Sequence, residues 1–192
     1  MRKDTPLPRR RSVRLKSYDY SQPAAYAVTL CARDRKCLFG KIVLGKALLN
    51  VLGEIVDRCW AEIPRHFFGV ELPLHVVMPN HLHGILVLSQ RARRAVPLRF
   101  SADLAFSMAG AEAFGIPVAH SIPTIVRSFK SAVTKRAREI LRRPDLIVWQ
   151  RGYYEHVIRD GRDFNNAWDY IRWNPQRWEF DEENPGRKNP HP

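Results

Sequence analysis

The chain has 192 residues, 45% of them hydrophobic, with 32 Lys and Arg against 19 Asp and Glu, a formal net charge of +13. That length allows one domain with a sizeable core plus extensions, and no apolar run approaches the roughly 20 residues of a membrane span. So large a positive excess points to a polyanionic partner, most simply nucleic acid, and away from a membrane-surface protein, because no helix pairs a broad apolar face with a Lys/Arg face outside the core pattern.

Residues 1–16 carry Arg2, Lys3, Arg9, Arg10, Arg11, Arg14 and Lys16 against one acid, Asp4. They read as a basic arm laid on phosphates when bound. The basic start has no apolar stretch behind it, so no secretory signal is expected. Cys31, Cys37 and Cys59 lack metal-type spacing and read as reduced thiols in a cytoplasmic protein. Tyr18 and Tyr20 can anchor the arm.

Ala25–Ala32 alternates and predicts a first strand. Arg33–Lys36 is a charged turn, and Leu38-Phe39-Gly40 can start a short hairpin return. From about Lys46 the period changes. Leu48, Leu52, Ile55, Val56, Cys59 and Ile63 recur at helical spacing until Pro64 stops the run. Leu72–Val77 and His81–Leu88 flank a Pro79-Asn80 turn and predict an antiparallel hairpin. Side chains on a strand alternate faces, so His81 and His83 point the same way and Leu82 the other. Two imidazoles side by side just past a turn can chelate one cation, or they can be the polar face of an edge strand.

Residues 89–120 show no clear period and read as an inserted loop. Ser121 is a candidate N-cap, with Pro123 in the first turn. Ile122, Ile125, Val126, Phe129, Val133, Ala137 and Ile140 form an apolar stripe, and Arg127, Lys130, Lys135 and Arg138 lie mostly off it. Such a basic outer face is either solvated surface or a phosphate contact. Leu146–Gln150 and Tyr153–Ile158 predict a bent strand or hairpin that closes the sheet. A last helix runs from about Arg162 to Asn174 and ends at Pro175, and residues 179–192 read as an irregular tail. The order is strand, helix, strand, strand, helix, strand, helix. Two split βαβ units of this kind make a ferredoxin-like α+β domain over residues 17–178, an antiparallel sheet with helices on one face. Its other face is left for a ligand or a further helix.

On the last helix Tyr170 and Asn174 are four apart and share a face. Their spacing alone favours an interfacial aromatic and a helix-end residue before a proline. His156 can be a core residue, and Tyr153 and Tyr154 are alternative exposed phenols.

The chain resembles the REP-associated tyrosine transposases, a branch of the single-tyrosine HUH transposases found with small bacterial insertion sequences. The resemblance runs from Arg14 to Trp178. It is carried by Arg14-Leu15-Lys16 with Tyr18-Asp19-Tyr20, Val77-Met78-Pro79-Asn80-His81-Leu82-His83, Ser128-Phe129-Lys130-Ser131, Trp149-Gln150-Arg151-Gly152-Tyr153-Tyr154-Glu155-His156 and Tyr170-Ile171-Arg172-Trp173-Asn174-Pro175. It implies that His81 and His83 are the HUH metal ligands, Asn174 the third ligand and Tyr170 the nucleophile. The reaction implied is cleavage and rejoining of single-stranded DNA at a REP-type hairpin through a 5′-phosphotyrosine, with a divalent metal, Mg²⁺ or Mn²⁺. Arg9, Arg10, Arg11, Arg14, Lys16, Arg127, Lys130, Lys135 and Arg138 are the candidate DNA contacts. The setting implied is the bacterial cytoplasm, in association with the nucleoid. A homodimer stays open, because excision takes two cleavages. One alternative is a non-catalytic hairpin-binding protein of the same fold. Another is an RNA binder on a ferredoxin-like sheet, which would want stacking aromatics on its central strands.

Overall fold

A computed structural model describes residues 18–89 and 118–187. The strands and helices in chain order are β1 (Ala24–Cys31), β2 (Gly40–Val43), β3 (Lys46–Leu49), α1 (Val51–Ala61), α2 (Ile63–His66), β4 (Val70–Val77), β5 (His81–Leu88), α3 (Ile122–Ile140), β6 (Tyr154–Ile158) and α4 (Gly161–Trp173). Short 3₁₀ turns cover Arg33–Arg35 and Asn174–Phe180.

The main sheet has the order β4-β5-β1-β6, and every neighbouring pair is antiparallel. This is the ferredoxin-like arrangement the element order predicts. Pro73 cannot donate to a ladder, and it falls on edge strand β4, inside the register shift between Glu71 and Leu74.

Alternation sorts each strand between two layers. Tyr26, Val28 and Leu30 of β1 and Leu82 and Leu86 of β5 are buried under α1 and α3 with Ile55, Val56, Trp60, Ile125, Phe129 and Val133. Gly84 lies on this same face, where a Cβ would overlap the Trp60 indole. The opposite face carries a smaller cluster of Ile85, Ile158 and Ile171, joined by Phe164, Ala167 and Trp168 of α4. The face expected to take a ligand or a further helix therefore takes α4, which crosses β4 and β5.

Caps set the helix starts. The Asn50 side chain accepts from Gly53 N–H (3.0 Å), and the Asp160 carboxylate accepts from Asp163 N–H (2.8 Å). Ser121 caps α3 as its sequence suggests, its hydroxyl accepting from Thr124 N–H.

Four expectations are corrected. Helix α1 begins at Val51, not Lys46, because Leu44-Gly45 turns the chain (φ 50 and 70) and Lys46–Leu49 pairs with Gly40–Val43 as a ribbon. Leu48, placed in the helical stripe by its spacing, is half-exposed on that ribbon. Pro64, expected to stop the first helix, does follow its end at Ala61. It sits in the first turn of α2, where its missing N–H costs nothing. Ile140 is 58% exposed, one turn beyond the last residue the core can cover. The segment before β6 pairs with the sheet through an isolated Ala32–Trp149 bridge, and β6 by itself forms the edge strand beside β1.

Candidate metal and tyrosine site

The histidines open β5 on the face away from the core. Thr29 and Cys31 stand opposite His83 and His81 in the ladder. Both rings are buried, and their centroids are 4.3 Å apart. Asn80 fixes His81. Its amide nitrogen donates to Arg35 O (2.9 Å) and Glu183 O (2.6 Å), which orients the amide and leaves Oδ1 to accept from His81 Nδ1 (2.8 Å). His81 Nε2 therefore holds the free lone pair. The Thr29 hydroxyl lies 2.8 Å from His83 Nδ1 and can fix that ring in the same way.

Burial holds the His81 imidazolium form down to about pKa 3. Burial also pushes His83 well below its ordinary value, with His81 adding to the effect and Asp181 opposing it. Both rings are thus neutral near pH 7, the form that binds metal.

Helix α4 brings the other half of the site. Tyr170 packs its ring edge-on to His83, centroids 5.2 Å apart. Asn174, one turn on, is buried at the start of the 3₁₀ segment and donates through Nδ2 to Asp181 Oδ2 (2.6 Å). Three buried atoms here have no protein partner: His81 Nε2, His83 Nε2 and Asn174 Oδ1. Buried polar atoms of this kind ordinarily find partners, and these are ligand atoms of the three residues that the resemblance assigns to metal. Their donor set, two imidazoles and an amide oxygen, suits a divalent cation such as Mn²⁺ or Mg²⁺.

The sequence reading missed Asp181. Its carboxylate is buried, and it groups with His81 and His83 with one ligand atom from each within 4.8 Å of the others. It makes the site anionic where three neutral ligands were expected. It comes from a segment without helix or strand, and no periodicity marks it. Residues 181–187 are packed through hydrogen bonds and an ion pair. Asn184 donates to Trp178 O (2.8 Å), and Glu183 pairs with Arg35 (3.0 Å) and accepts from Cys31 Sγ (3.4 Å). The Tyr170 hydroxyl is pushed up to about 12, first by burial and then by Asp181, Glu182 and Glu183, with a hydrogen bond to Asn174 pulling the other way.

The structure thus brings His81, His83, Tyr170 and Asn174 together. It does not bring the α3 cations to them, because α3 covers the opposite face of the sheet. Arg127, Lys135 and Arg138 are exposed there, and Arg138 Nε donates to Leu146 O (3.0 Å). Lys130 turns inward and donates to Gln150 O (3.0 Å) and Gly152 O. Burial lowers it to about 8. Arg9, Arg10, Arg11, Arg14, Lys16 and most of the 89–120 loop lie outside the described residues. His156 pairs with Asp163 of α4 (2.8 Å). Tyr153 packs against the main core. Tyr154 stands opposite Thr29 and so shares the site's face.

No family model matches the chain. An uncharacterized protein of Haemophilus influenzae is 39% identical over 175 residues, 90% of this chain and 92% of that one. Among solved structures, a REP-associated tyrosine transposase bound to a REP hairpin superposes with a TM-score of 0.55 at 18% identity, covering 90% of this chain and 77% of the other. The chain belongs to the family of the Haemophilus protein, and its fold is that of a REP-associated tyrosine transposase. In this transposase fold the His-x-His strand and the tyrosine helix meet on one face of the sheet, which leaves the core on the other. Among the described residues no helix is long and apolar enough to cross a membrane.

Proposed function

We propose that this protein is a metal-dependent single-stranded DNA endonuclease and strand transferase, that it acts on REP-type hairpin DNA, and that Tyr170 is its nucleophile. The observation that carries this reading is the trio of buried, unpartnered ligand atoms beside Tyr170. The net charge of +13 supports a nucleic-acid substrate.

In the reaction the Tyr170 oxygen bonds to the scissile phosphorus and the bond to the 3′ oxygen breaks. The phenol gives up its proton and the departing oxygen gains one, leaving a 5′-phosphotyrosine and a free 3′-hydroxyl. The ester keeps the energy of the broken bond, so the reverse step needs no ATP. His81, His83 and Asn174, with Asp181 beside them, would hold a Mg²⁺ or Mn²⁺, which supplies Lewis-acid polarisation of the phosphate when bound. Burial first, and then Asp181, Glu182 and Glu183, hold the Tyr170 phenol above its ordinary value. Asn174 links the two halves, since its amide reaches the hydroxyl region and the ligand cluster from the nucleophile's own helix. The basic arm, Arg9 to Lys16, and the outer face of α3 supply backbone contacts that position the hairpin without reading its sequence.

Covalent trapping tests the reading. The protein is incubated with a labelled single-stranded palindrome and Mn²⁺ or Mg²⁺, then run on a denaturing gel. A labelled protein band that disappears in Tyr170→Phe and in EDTA is the expected result. Hairpin binding with no adduct under any metal would reduce the protein to a binding module. An adduct that survives in Tyr170→Phe would move the nucleophile, with Tyr154 the first alternative.

A further inference from the structure

We propose that the β2–β3 ribbon is a wedge that unstacks the base pair at the foot of a bound DNA hairpin, with Leu44 entering the stack. The inference rests on the hairpin-DNA reading above. Leu44 occupies the tip of the ribbon and is 95% exposed. Its φ of 50° lies in the left-handed region, where a turn of this kind ordinarily takes Asn or Gly. A leucine there carries backbone strain and shows its whole apolar side chain to water. Nothing within the described chain offsets either cost.

The ribbon's outer face suits nucleic acid. The register pairs Lys41 with Leu48 and Val43 with Lys46, so these four side chains share one face, and all four are exposed. No acid occurs between Gly40 and Leu49. Two lysines set diagonally between two apolar side chains match a surface that alternates phosphates with bases. An apolar tip between basic flanks is also the chemistry by which proteins separate base steps.

The ribbon is anchored to the site at both ends. At its foot Phe39 N–H donates to Pro79 O (2.9 Å), in the turn that leads to His81, and Asn50 N–H donates to Phe39 O (3.0 Å). At its tip a side chain on Gly45 would come within 3.1 Å of Gln176 Cγ, two residues past Asn174. The apolar tip is therefore carried by the backbone that carries the candidate ligands. Attack by Tyr170 needs a phosphate free of the stacked duplex, and a wedge at the foot of the hairpin would open the stack at that place.

The test uses a hairpin oligonucleotide with 2-aminopurine at the last paired position, and an unpaired strand of equal length as control. Wild-type protein should raise the fluorescence several-fold on binding the hairpin. Leu44→Gly should abolish the rise while affinity for the unpaired strand stays within about two-fold and Tm does not fall, since glycine accepts the positive φ. A full rise with Leu44→Gly, or binding of the hairpin without a rise in wild type, overturns the wedge and leaves the DNA reading standing. A dimer in sedimentation that Leu44→Gly converts to monomer would assign the tip to contact between copies and also overturns it. Failure of both proteins to bind either oligonucleotide would remove the hairpin reading and the wedge together.

Discussion

The two faces of the main sheet share the same strands and differ in nearly everything else. On one face β5 presents Leu82, the bare backbone of Gly84 and Leu86, closed over by α1 and α3. On the other it presents His81, His83 and Ile85, under α4 and the segment after it. The first face is packed with apolar side chains, leaves the Trp60 and Trp149 indole N–H groups without partners among the described residues, and makes the fold. The second buries imidazoles and an amide without partners for one atom each, a cost that the first face must cover. The two-residue period of the strand lets one segment do both without compromise.

If this division holds, changes on the site face should alter chemistry far more than stability, and changes on the core face the reverse. The largest effect is expected from Tyr170→Phe. The covalent adduct should fall by on the order of 10³-fold or more, while Tm moves little, because the ring stays and only a hydroxyl goes. An unchanged adduct yield would break the comparison at its centre.

Lys130 offers the next test, as a cation set within the packed layer between α3 and the Gln150–Gly152 loop. Its folded value is about 8 against an ordinary 10.5. Below pH 8 both folded and unfolded chains hold the proton, and the burial penalty is present in full. Between pH 8 and 10.5 the unfolded chain binds more protons, so stability should rise with pH. The rise should approach about 3 kcal/mol relative to Lys130→Met. Urea unfolding of both proteins at pH 7.5 and pH 10 measures it, and parallel behaviour of the two would sink the assignment.

Thr29→Val removes the hydroxyl beside His83 Nδ1 without changing side-chain shape. Metal affinity in titration calorimetry should fall by roughly 10- to 100-fold, with the fold intact. The smallest effect on the chemistry is expected from Gly84→Ala on the core face. The new methyl meets the Trp60 indole, and the fold should lose about 1–3 kcal/mol in urea. The adduct formed per folded molecule should not change at low temperature.

Much of this could be read from the chain because it is local. His81-Leu82-His83 after a Pro-Asn turn, the Ser121 cap and the Ile122-to-Ala137 stripe each follow from neighbours a few residues apart. The failures are also local rules, overruled by equally local ones. Leu48, Leu52 and Ile55 match helical spacing, but the Leu44-Gly45 turn and the Asn50 cap make Leu48 a ribbon residue. Asn50 and Leu44-Gly45 were available as signals and outweigh apolar spacing at a helix start. Asp181 had no such signal. An acid among acids after a helix looks like surface, and only tertiary packing against His81 and Asn174 buries it. The separation of the α3 cations from the site went unread for the same reason, since periodicity gives their outward direction but not which face of the sheet the helix covers.

The Asn80 side chain joins three stretches of chain, through Arg35, His81 and Glu183. The Cys31–Glu183 contact spans 152 positions, and Asn80–Glu183 spans 103. Contacts this distant in sequence close late, because their loop entropy must be met before they give anything back. The hydrophobic layer can condense from β1, α1, β4 and β5, all before residue 89, joined by α3. The candidate ligand cluster waits for residues 174–183. The order of folding therefore sets an order of competence. The chain becomes a stable body first and assembles the candidate ligand cluster last, and a proteolytic cut near residue 181 should break that cluster while leaving the body standing.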